Sequence, residues 1–274
     1  MGNNKRILKS ICTSSMLVIS AMAATQPALA TTDNSIGNGS LSTWVEFASD
    51  YVFRGESETN DGQIPSLKGQ ITWTHESGFY AGYYMANALF PGGDEVTNYN
   101  NPNINAVTGI TMGMSVEDIA GTGFNYSGSL FQYIYPGDSQ SNYLEMFNFI
   151  DKQFGDVNLK FEYSPTLNDW FGVKDLLSWH VATHIAVDIP MEFTVSTSIG
   201  YQGFDYSGNA GYEDIESLDW THWNIGISRP IAGYVVDLRY HDTDLDGYHA
   251  FYGTNTNSNH IFDNRIVIAI SKTF

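Results

Sequence analysis

The last ten residues of the chain, Arg265-Ile266-Val267-Ile268-Ala269-Ile270-Ser271-Lys272-Thr273-Phe274, form an alternating pattern that ends on an aromatic residue. Successive side chains of a β-strand point to opposite faces, so this segment has one strongly apolar face. That face carries Ile266, Ile268, Ile270 and Phe274, and the other carries Arg265, Ala269, Ser271 and Thr273. Such a C-terminal strand predicts an outer-membrane β-barrel closed by its last strand. The alternative is the edge strand of a soluble β-sandwich.

The N-terminal residues have the three parts of an export signal. Lys5, Arg6 and Lys9 form a basic region, residues 11–24 a short apolar stretch, and residues 28–30 an A-x-A cleavage site. The apolar stretch is shorter than the roughly 20 residues that a membrane-spanning helix needs. We therefore expect a signal peptide over residues 1–30.

The rest of the chain is predicted to be one domain. Residues 31–40 form a polar lead-in that we expect to be flexible, and residues 41–274 form a single barrel. The only cysteine, Cys12, lies inside the signal, so the mature chain has neither a disulfide nor a cysteine-based metal site. No sequence pattern indicates a cofactor.

Composition supports the barrel and excludes one class of partner. The mature chain keeps nine Lys or Arg and all thirty Asp or Glu, a formal net charge of −21. So acidic a chain has no basic surface with which to bind nucleic acid. Its 26 Gly and 39 aromatic residues are what many strands, tight turns and interfacial aromatic girdles require. The mean hydropathy of −0.21 argues against a helical membrane protein but suits a barrel with a polar lumen.

Twelve segments have the alternation or composition of strands, and the connections between them alternate in length. Short connections follow every second strand, and longer polar ones separate the others, which is the pattern of outer-membrane barrels. An even strand number also places both termini on the periplasmic side. The predicted strands are residues 41–54, 63–76, 78–90, 104–116, 123–135, 143–154, 157–167, 178–189, 193–204, 221–229, 233–242 and 265–274.

The polar face of each strand is predicted to line the lumen, since Lys or Arg at the lipid-facing midplane costs about 2–4 kcal/mol. In the first segment, the alternation places Tyr51 and Phe53 on the lipid-facing side. Eight-stranded barrels are filled by side chains, and sixteen-stranded porins have open channels. A strand number of twelve is intermediate and predicts a narrow pore. The predicted pore-lining residues are Glu46, Asp50, Arg54, Lys160, Glu162, Asp188, Asp237, Arg239 and Arg265.

Several motifs resemble those of a known family. They are Ser49-Asp50-Tyr51-Val52-Phe53-Arg54-Gly55-x-Ser57-x-Thr59, His75-x-Ser77-Gly78-Phe79-Tyr80-x-Gly82, Tyr240-His241-Asp242-Thr243-Asp244 and the C-terminal strand. In this order they resemble the TorF family of proteins classed as porins, the proteobacterial Gcw_chp outer-membrane family. The resemblance implies a barrel in the outer membrane of a Gram-negative bacterium, but no substrate. The final loop lacks the cysteines associated with many members, so its chemistry is expected to differ.

Two motifs suggest metal binding. His180-x3-His184-x3-Asp188 would span about 13 Å on a strand, too far for ligands of one ion, so these residues are interpreted as lumen-facing polar side chains. Asp242-x-Asp244-x-Asp246-Gly247 begins like a calcium loop, but Gly253 stands where an EF-hand has Glu. An acidic solvated loop is favoured, and a weak divalent-cation site is the alternative. Weak cation binding is also expected at Glu213, Asp214, Glu216, Asp219 and Asp263, where cations could bridge to lipopolysaccharide.

One further pair of residues suggests catalysis. His75 and Ser77, two apart on a strand, would share a face as a base and nucleophile do, but they lie at a short turn and no third orienting residue is evident. The leading hypothesis is thus a non-enzymatic outer-membrane channel for small solutes or ions with a mild cation preference. The alternatives are a lipid-acting hydrolase and a non-conducting binding or structural barrel. Expected partners are outer-membrane lipids, lipopolysaccharide, permeating solutes and the barrel-assembly machinery, which would recognise the strand ending in Phe274.

Overall fold

A computed structural model describes residues 35–89, 104–205, 219–245 and 260–274. These residues form twelve long antiparallel strands, which we number β1 to β12 along the chain. The strands are β1 (Gly39–Ala48), β2 (Ser66–His75), β3 (Phe79–Asn87), β4 (Ala106–Val116), β5 (Phe124–Ile134), β6 (Leu144–Phe154), β7 (Val157–Pro165), β8 (Leu177–Ile189), β9 (Phe193–Asp205), β10 (Trp220–Ile231), β11 (Tyr234–Thr243) and β12 (Arg265–Thr273).

The sheet closes on itself. Each strand pairs with its neighbours in sequence, and β12 pairs with β1 from Ala269 opposite Ala48 to Thr273 opposite Trp44. The terminal residue extends this seam, because Phe274 N donates to Thr43 O at 2.8 Å. The predicted twelve-stranded antiparallel barrel is confirmed. In the described parts of the chain, no helix has the length and apolar character needed to cross a membrane.

The two ends of the barrel differ as the sequence predicts. Five short turns follow β2, β4, β6, β8 and β10, and we call the end that they form the short-turn end. Six longer connections lie at the opposite end, which we call the long-loop end; they are residues 49–65, 88–105, 135–143, 166–176, 206–219 and 244–264. Predicted and observed strands agree within about two residues, except in the first three segments.

The two faces of the barrel wall have opposite chemistry. On β12, Ile266 is 67% exposed and Ile268 is 58% exposed, while Val267 and Ala269 between them are buried. On β8, Val181 and Ile185 point outward and His180 and His184 are buried inside. The outer face is therefore an apolar belt and the inner face is largely polar, as the alternation of the sequence predicts.

The first strand differs from its prediction. It ends at Ala48, so Tyr51 and Phe53 do not lie on its lipid-facing side as the alternation predicted; Tyr51 is buried among inward-facing residues. Residues 49–65 instead leave the wall and turn into the barrel. At the other end of β1, Ser35–Ile36 of the lead-in pairs with Gly39 and Ser40.

Candidate functional site

A small hairpin lies within the first long connection. Val52–Phe53 pairs with Glu56–Ser57, and Arg54 and Gly55 form the turn between them. Both turn residues have positive φ, 51° for Arg54 and 88° for Gly55, as a two-residue type I′ turn requires. Arginine is uncommon in this conformation, so its place at the tip of the turn suggests a functional constraint. We call residues 52–57 the lumen hairpin.

The base of the lumen hairpin is held by an aspartate. Asp50 Oδ1 accepts hydrogen bonds from the hydroxyls of Ser57, at 2.7 Å, and Thr59. Its other oxygen accepts from Arg265 Nη1 on β12 at 2.8 Å. The Asp50, Ser57 and Thr59 side chains of the first sequence motif thus fix the base of the hairpin. Since a buried charge is stable only when it is paired and hydrogen-bonded, the motif and β12 depend on each other.

The tip of the lumen hairpin reaches the opposite side of the barrel. The connection that carries it joins β1 to β2, whereas Arg54 Nη2 bonds Glu145 Oε1 on β6 at 2.7 Å and lies 3.6 Å from Glu162 Oε1 on β7. In a ring of twelve strands, β7 lies directly across from β1. Arg54 Nη1 also donates to Gln202 Oε1 on β9 at 3.0 Å. The hairpin therefore crosses the lumen and divides it.

A histidine cluster surrounds Glu162. His180 Nδ1 lies 2.9 Å from Glu162 Oε1, His184 Nε2 lies 3.2 Å from Oε2, and His180 Nε2 contacts His222 Nε2 at 2.9 Å. The His180 and His222 rings stack over Gly200, where a Cβ would lie 2.4 Å from His222 Nε2. The predicted polar role of His180 and His184 thus agrees with the contacts. His222, Glu145 and Gln202 were not predicted.

Electrostatics makes Arg54 the centre of this site. Burial alone would lower the pKa of Arg54, but the adjacent Glu145 and Glu162 carboxylates raise it above its ordinary value. Arg54 is therefore a permanent cation held by two buried carboxylates. Glu58, which follows the hairpin, has neighbours of its own charge, in contrast to Arg54. Burial, followed by repulsion from Glu56 and Asp50, raises its pKa well above the usual value.

Two other predicted pore-lining carboxylates are paired within the barrel. Glu46 Oε1 lies 2.5 Å from Lys68 Nζ, and Asp237 Oδ2 lies 3.0 Å from Arg239 Nη2. Arg239 also bonds Asn224 and Ser196. All four charged side chains are buried. Their mutual compensation leaves little net charge in this part of the lumen.

The remaining predicted lumen residues differ in position. Lys160 lies on the inner face of β7 with its Nζ 5.7 Å from the centre of the Phe149 ring. Asp188 lies near the short-turn end of β8, is exposed, and accepts from Thr194 Oγ1 at 2.7 Å. The structure thus brings Asp50, Arg54, Glu162 and Arg265 to the hairpin and places Lys160 and Asp188 elsewhere.

An aromatic cavity lies between the lumen hairpin and the long-loop end. Its internal volume is about 30 Å³, and it opens toward solvent. Its rings come from the first connection, from β5 and the connection after it, from the connection before β8, and from the start of β10. The lining residues are Tyr51, Phe53, Arg54, Glu56, Glu58, Val107, Tyr133, Tyr135, Tyr143, Trp170, Phe171, Gln202 and Trp220.

The other predicted sites have local partners. His75 Nδ1 lies 2.8 Å from Ser77 Oγ, but it also accepts from Ser77 N at 3.1 Å, the pattern of a side chain that closes a tight turn. Asp242 accepts from Tyr240 and Thr243, while Asp246, Gly247 and Gly253 lie outside the described residues, as do Glu213, Asp214 and Glu216. Among the residues that are described, no three His, Cys, Asp or Glu side chains form a group that could hold a metal ion.

The fold places the chain in the class of porin-like β-barrels. A KdgM porin structure aligns with a TM-score of 0.51 at 8% identity, covering 85% of this chain and 98% of that chain. A NanC porin structure in a rhombohedral crystal form aligns with a TM-score of 0.50 at 9% identity, with the same coverage. No curated protein matches the sequence.

The chain belongs to a family of bacterial proteins of unknown function (Gcw_chp), whose model matches residues 33–274. The family predicted from the motifs is confirmed at this level.

Proposed function

We propose that this protein is a narrow channel of the Gram-negative outer membrane for passive passage of small solutes or ions. The observation that carries the proposal is the closed barrel with a charged inner face, which the lumen hairpin narrows by binding the opposite wall through Arg54. The apolar outer belt fits contact with membrane lipid, and the charged inner face fits a hydrated pathway. The short-turn end then faces the periplasm and the long-loop end the exterior. The more specific TorF name and the signal peptide over residues 1–30 are part of this proposal.

We further propose that the channel prefers cations. In the sequence, the six long connections contain sixteen Asp or Glu and only two Lys or Arg, which are Arg54 and Lys174. An acidic mouth concentrates cations and repels anions. The predicted pore-lining residues are mostly compensated within the barrel, so the preference is set mainly at the mouth. Lipopolysaccharide and the barrel-assembly machinery, acting on the strand that ends in Phe274, are the proposed partners.

Planar-bilayer recording of the refolded chain tests the proposal. We expect small conductance steps and a reversal potential of the cation-selective sign under a KCl gradient. Clear anion selectivity at low salt would show that the lumen arginines govern permeation. A protein that inserts without any conductance would instead support the second candidate, a non-conducting binding or structural barrel, which the hairpin across the lumen favours.

The third candidate, a lipid-acting hydrolase, has weaker support. The contact between His75 and Ser77 is present, but it closes a turn at the short-turn end. Labelling of Ser77 by a serine-reactive probe, absent in Ser77→Ala, would revive it.

A further inference from the structure

Three cations on the outer surface of the barrel all lie at the short-turn end. The mature chain has nine Lys or Arg, and every one lies in the described ranges. Six of them lie in the lumen or in a long connection: Arg54, Lys68, Lys160, Lys174, Arg239 and Arg265. The remaining three are Lys152, Arg229 and Lys272, which we call the outer cations. Each lies within two residues of the short-turn end of its strand, so the outer surface is basic at one end of the barrel only.

The outer cations are set into an apolar surface. On β10, Arg229 alternates with Ile227 and Ile231, which are both exposed. At the end of the chain, Lys272 alternates with Ile270 and Phe274, which are exposed as well. A partner that contacts these cations must therefore carry apolar groups beside its charge. A phospholipid meets this requirement, and a small soluble anion does not.

An aromatic ring lies beside each outer cation. The distances from the charged group to the ring centre are 4.6 Å for Lys152 and Phe124, 5.0 Å for Arg229 and Phe193, and 4.9 Å for Lys272 and Tyr234. Aromatic residues on the outside of a barrel mark the level where hydrocarbon gives way to headgroups. Lys and Arg at this level keep their stems along apolar surface and place their charge among the headgroups.

No carboxylate neutralises the outer cations. In the described part of the chain, no Asp, Glu or terminal carboxylate lies within 4 Å of any of them. Lys152 donates to Thr122 O at 2.7 Å, but Arg229 Nε is buried and has no acceptor among the described residues. The exposed acidic residues Glu117 and Glu192 lie in the short turns. An anion from outside the chain would therefore supply the missing partner, as a charge in apolar surroundings requires.

We propose that the outer cations bind the headgroups of anionic phospholipids in the leaflet that surrounds the short-turn end. Arg229 is expected to contribute most, because its planar guanidinium can donate two parallel hydrogen bonds to one phosphate. Lys152 and Lys272 act as single point charges. The proposal rests on the proposed membrane location and orientation, but it does not depend on conduction.

Native mass spectrometry of the refolded full chain, released from detergent micelles, tests the proposal. The micelles contain equal amounts of phosphatidylglycerol, which is anionic, and phosphatidylcholine, which is zwitterionic, with identical acyl chains. We expect the wild type to retain phosphatidylglycerol at least about fivefold more often, because each Lys or Arg near an anionic headgroup contributes a factor of about five. Arg229→Gln should lower this ratio severalfold, and Arg229→Gln combined with Lys272→Gln should bring it close to one.

Matched variants show whether position matters or only charge. Lys174→Gln removes the same charge from an exposed side chain at the long-loop end, so it should leave the ratio unchanged. Arg229→Lys keeps the charge without the guanidinium and should give an intermediate ratio. Heat-modifiable migration on detergent gels confirms that each variant is folded. If Arg229→Gln fails to fold, Lys272→Gln alone provides the test, with a smaller decrease expected.

Three results would overturn the proposal: equal retention of the two lipids by the wild type, an unchanged ratio in the double variant, or an equal decrease in Lys174→Gln. Conductance of the same preparations in phosphatidylcholine bilayers separates this proposal from the channel. Conduction without a lipid preference refutes the headgroup site alone, whereas a lipid preference without conduction refutes the channel alone. A chain that is soluble without detergent and enters no bilayer refutes the membrane location on which both proposals rest.

Discussion

Removing the Arg54 side chain should release the lumen hairpin from the opposite wall. In Arg54→Ala, Glu145 loses its salt bridge at 2.7 Å, and Glu162 loses its nearest guanidinium. Breaking a buried ion pair by deleting one partner costs about 3–5 kcal/mol. At 1.36 kcal/mol per factor of ten, the population of the displaced hairpin should rise by a factor of about 10² to 5 × 10³.

The geometry of the barrel sets the size of the effect on conductance. Twelve strands about 4.8 Å apart, tilted by about 40°, form a ring about 24 Å across. Side chains occupy about 5 Å on each wall, which leaves roughly 14 Å, and a two-stranded ribbon with its side chains fills most of that width. Displacement of the hairpin should therefore raise single-channel conductance severalfold, as measured in planar bilayers at fixed KCl concentration.

Matched variants make this experiment specific. Arg54→Lys keeps the charge but cannot contact Glu145 and Gln202 at once through a planar guanidinium, so its conductance should lie between those of the wild type and Arg54→Ala. Adding Glu145→Gln to Arg54→Ala removes the orphaned carboxylate and should recover part of the lost thermal stability. The reasoning is refuted if Arg54→Ala inserts normally and shows both the conductance and the thermal stability of the wild type.

The other predictions concern pH, assembly and selectivity. Because the folded-state pKa of Glu58 is raised, its contribution to stability is fully present below the ordinary value of 4.5 and is lost as pH rises through the folded pKa. The lumen hairpin beside Glu58 should therefore be held more firmly at low pH, so conductance should fall on acidification, and less so in Glu58→Gln. Deleting Phe274, which pairs with Thr43, should reduce the heat-modifiable folded form on detergent gels far more than Ser271→Ala does. Glu46→Gln leaves Lys68 without its carboxylate, so the reversal potential under a KCl gradient should shift toward anions; an unchanged potential would place Glu46 outside the conduction pathway. If calcium and then chelator alter neither thermal stability nor loop proteolysis, divalent-cation binding by the acidic loops should be rejected.

The strands could be predicted because their physics is local. The alternation of apolar and polar residues can be read within a single strand. The alternation of short and long connections can be read from the strand and its neighbours in sequence. The C-terminal strand from Arg265 to Thr273 is the clearest case, since its apolar face is exposed and its small residues face inward.

The lumen hairpin could not be predicted in the same way. Its strands are only two residues long, and its turn uses Arg54 where Asn or Asp is the usual choice. The sequence placed Arg54 and Asp50 inside the barrel by extending β1 to residue 54, so their inward position is correct although the strand is not. The positions of Glu145 and Gln202 depend on their contacts with Arg54 across the lumen. Glu145 is 91 positions and Gln202 is 148 positions away from Arg54 in the sequence, so no local pattern contains these contacts.

The arrangement of charges explains why the mouth should control ion selectivity. Three buried ion pairs line the barrel: Glu46 with Lys68, Asp50 with Arg265, and Asp237 with Arg239. In each pair the charged atoms lie within about 3 Å, so a hydrated ion in the lumen experiences the pair as a dipole rather than as a net charge. The long connections carry sixteen Asp or Glu against two Lys or Arg in the sequence, so most of their carboxylates have no basic partner within these connections. Exposed charges are screened over about 8–10 Å near physiological salt, and pairs buried in the barrel much less. A cation preference that weakens steeply as salt rises is thus the expected behaviour of a filter located in the loops, whereas a preference insensitive to salt would locate it at the buried hairpin.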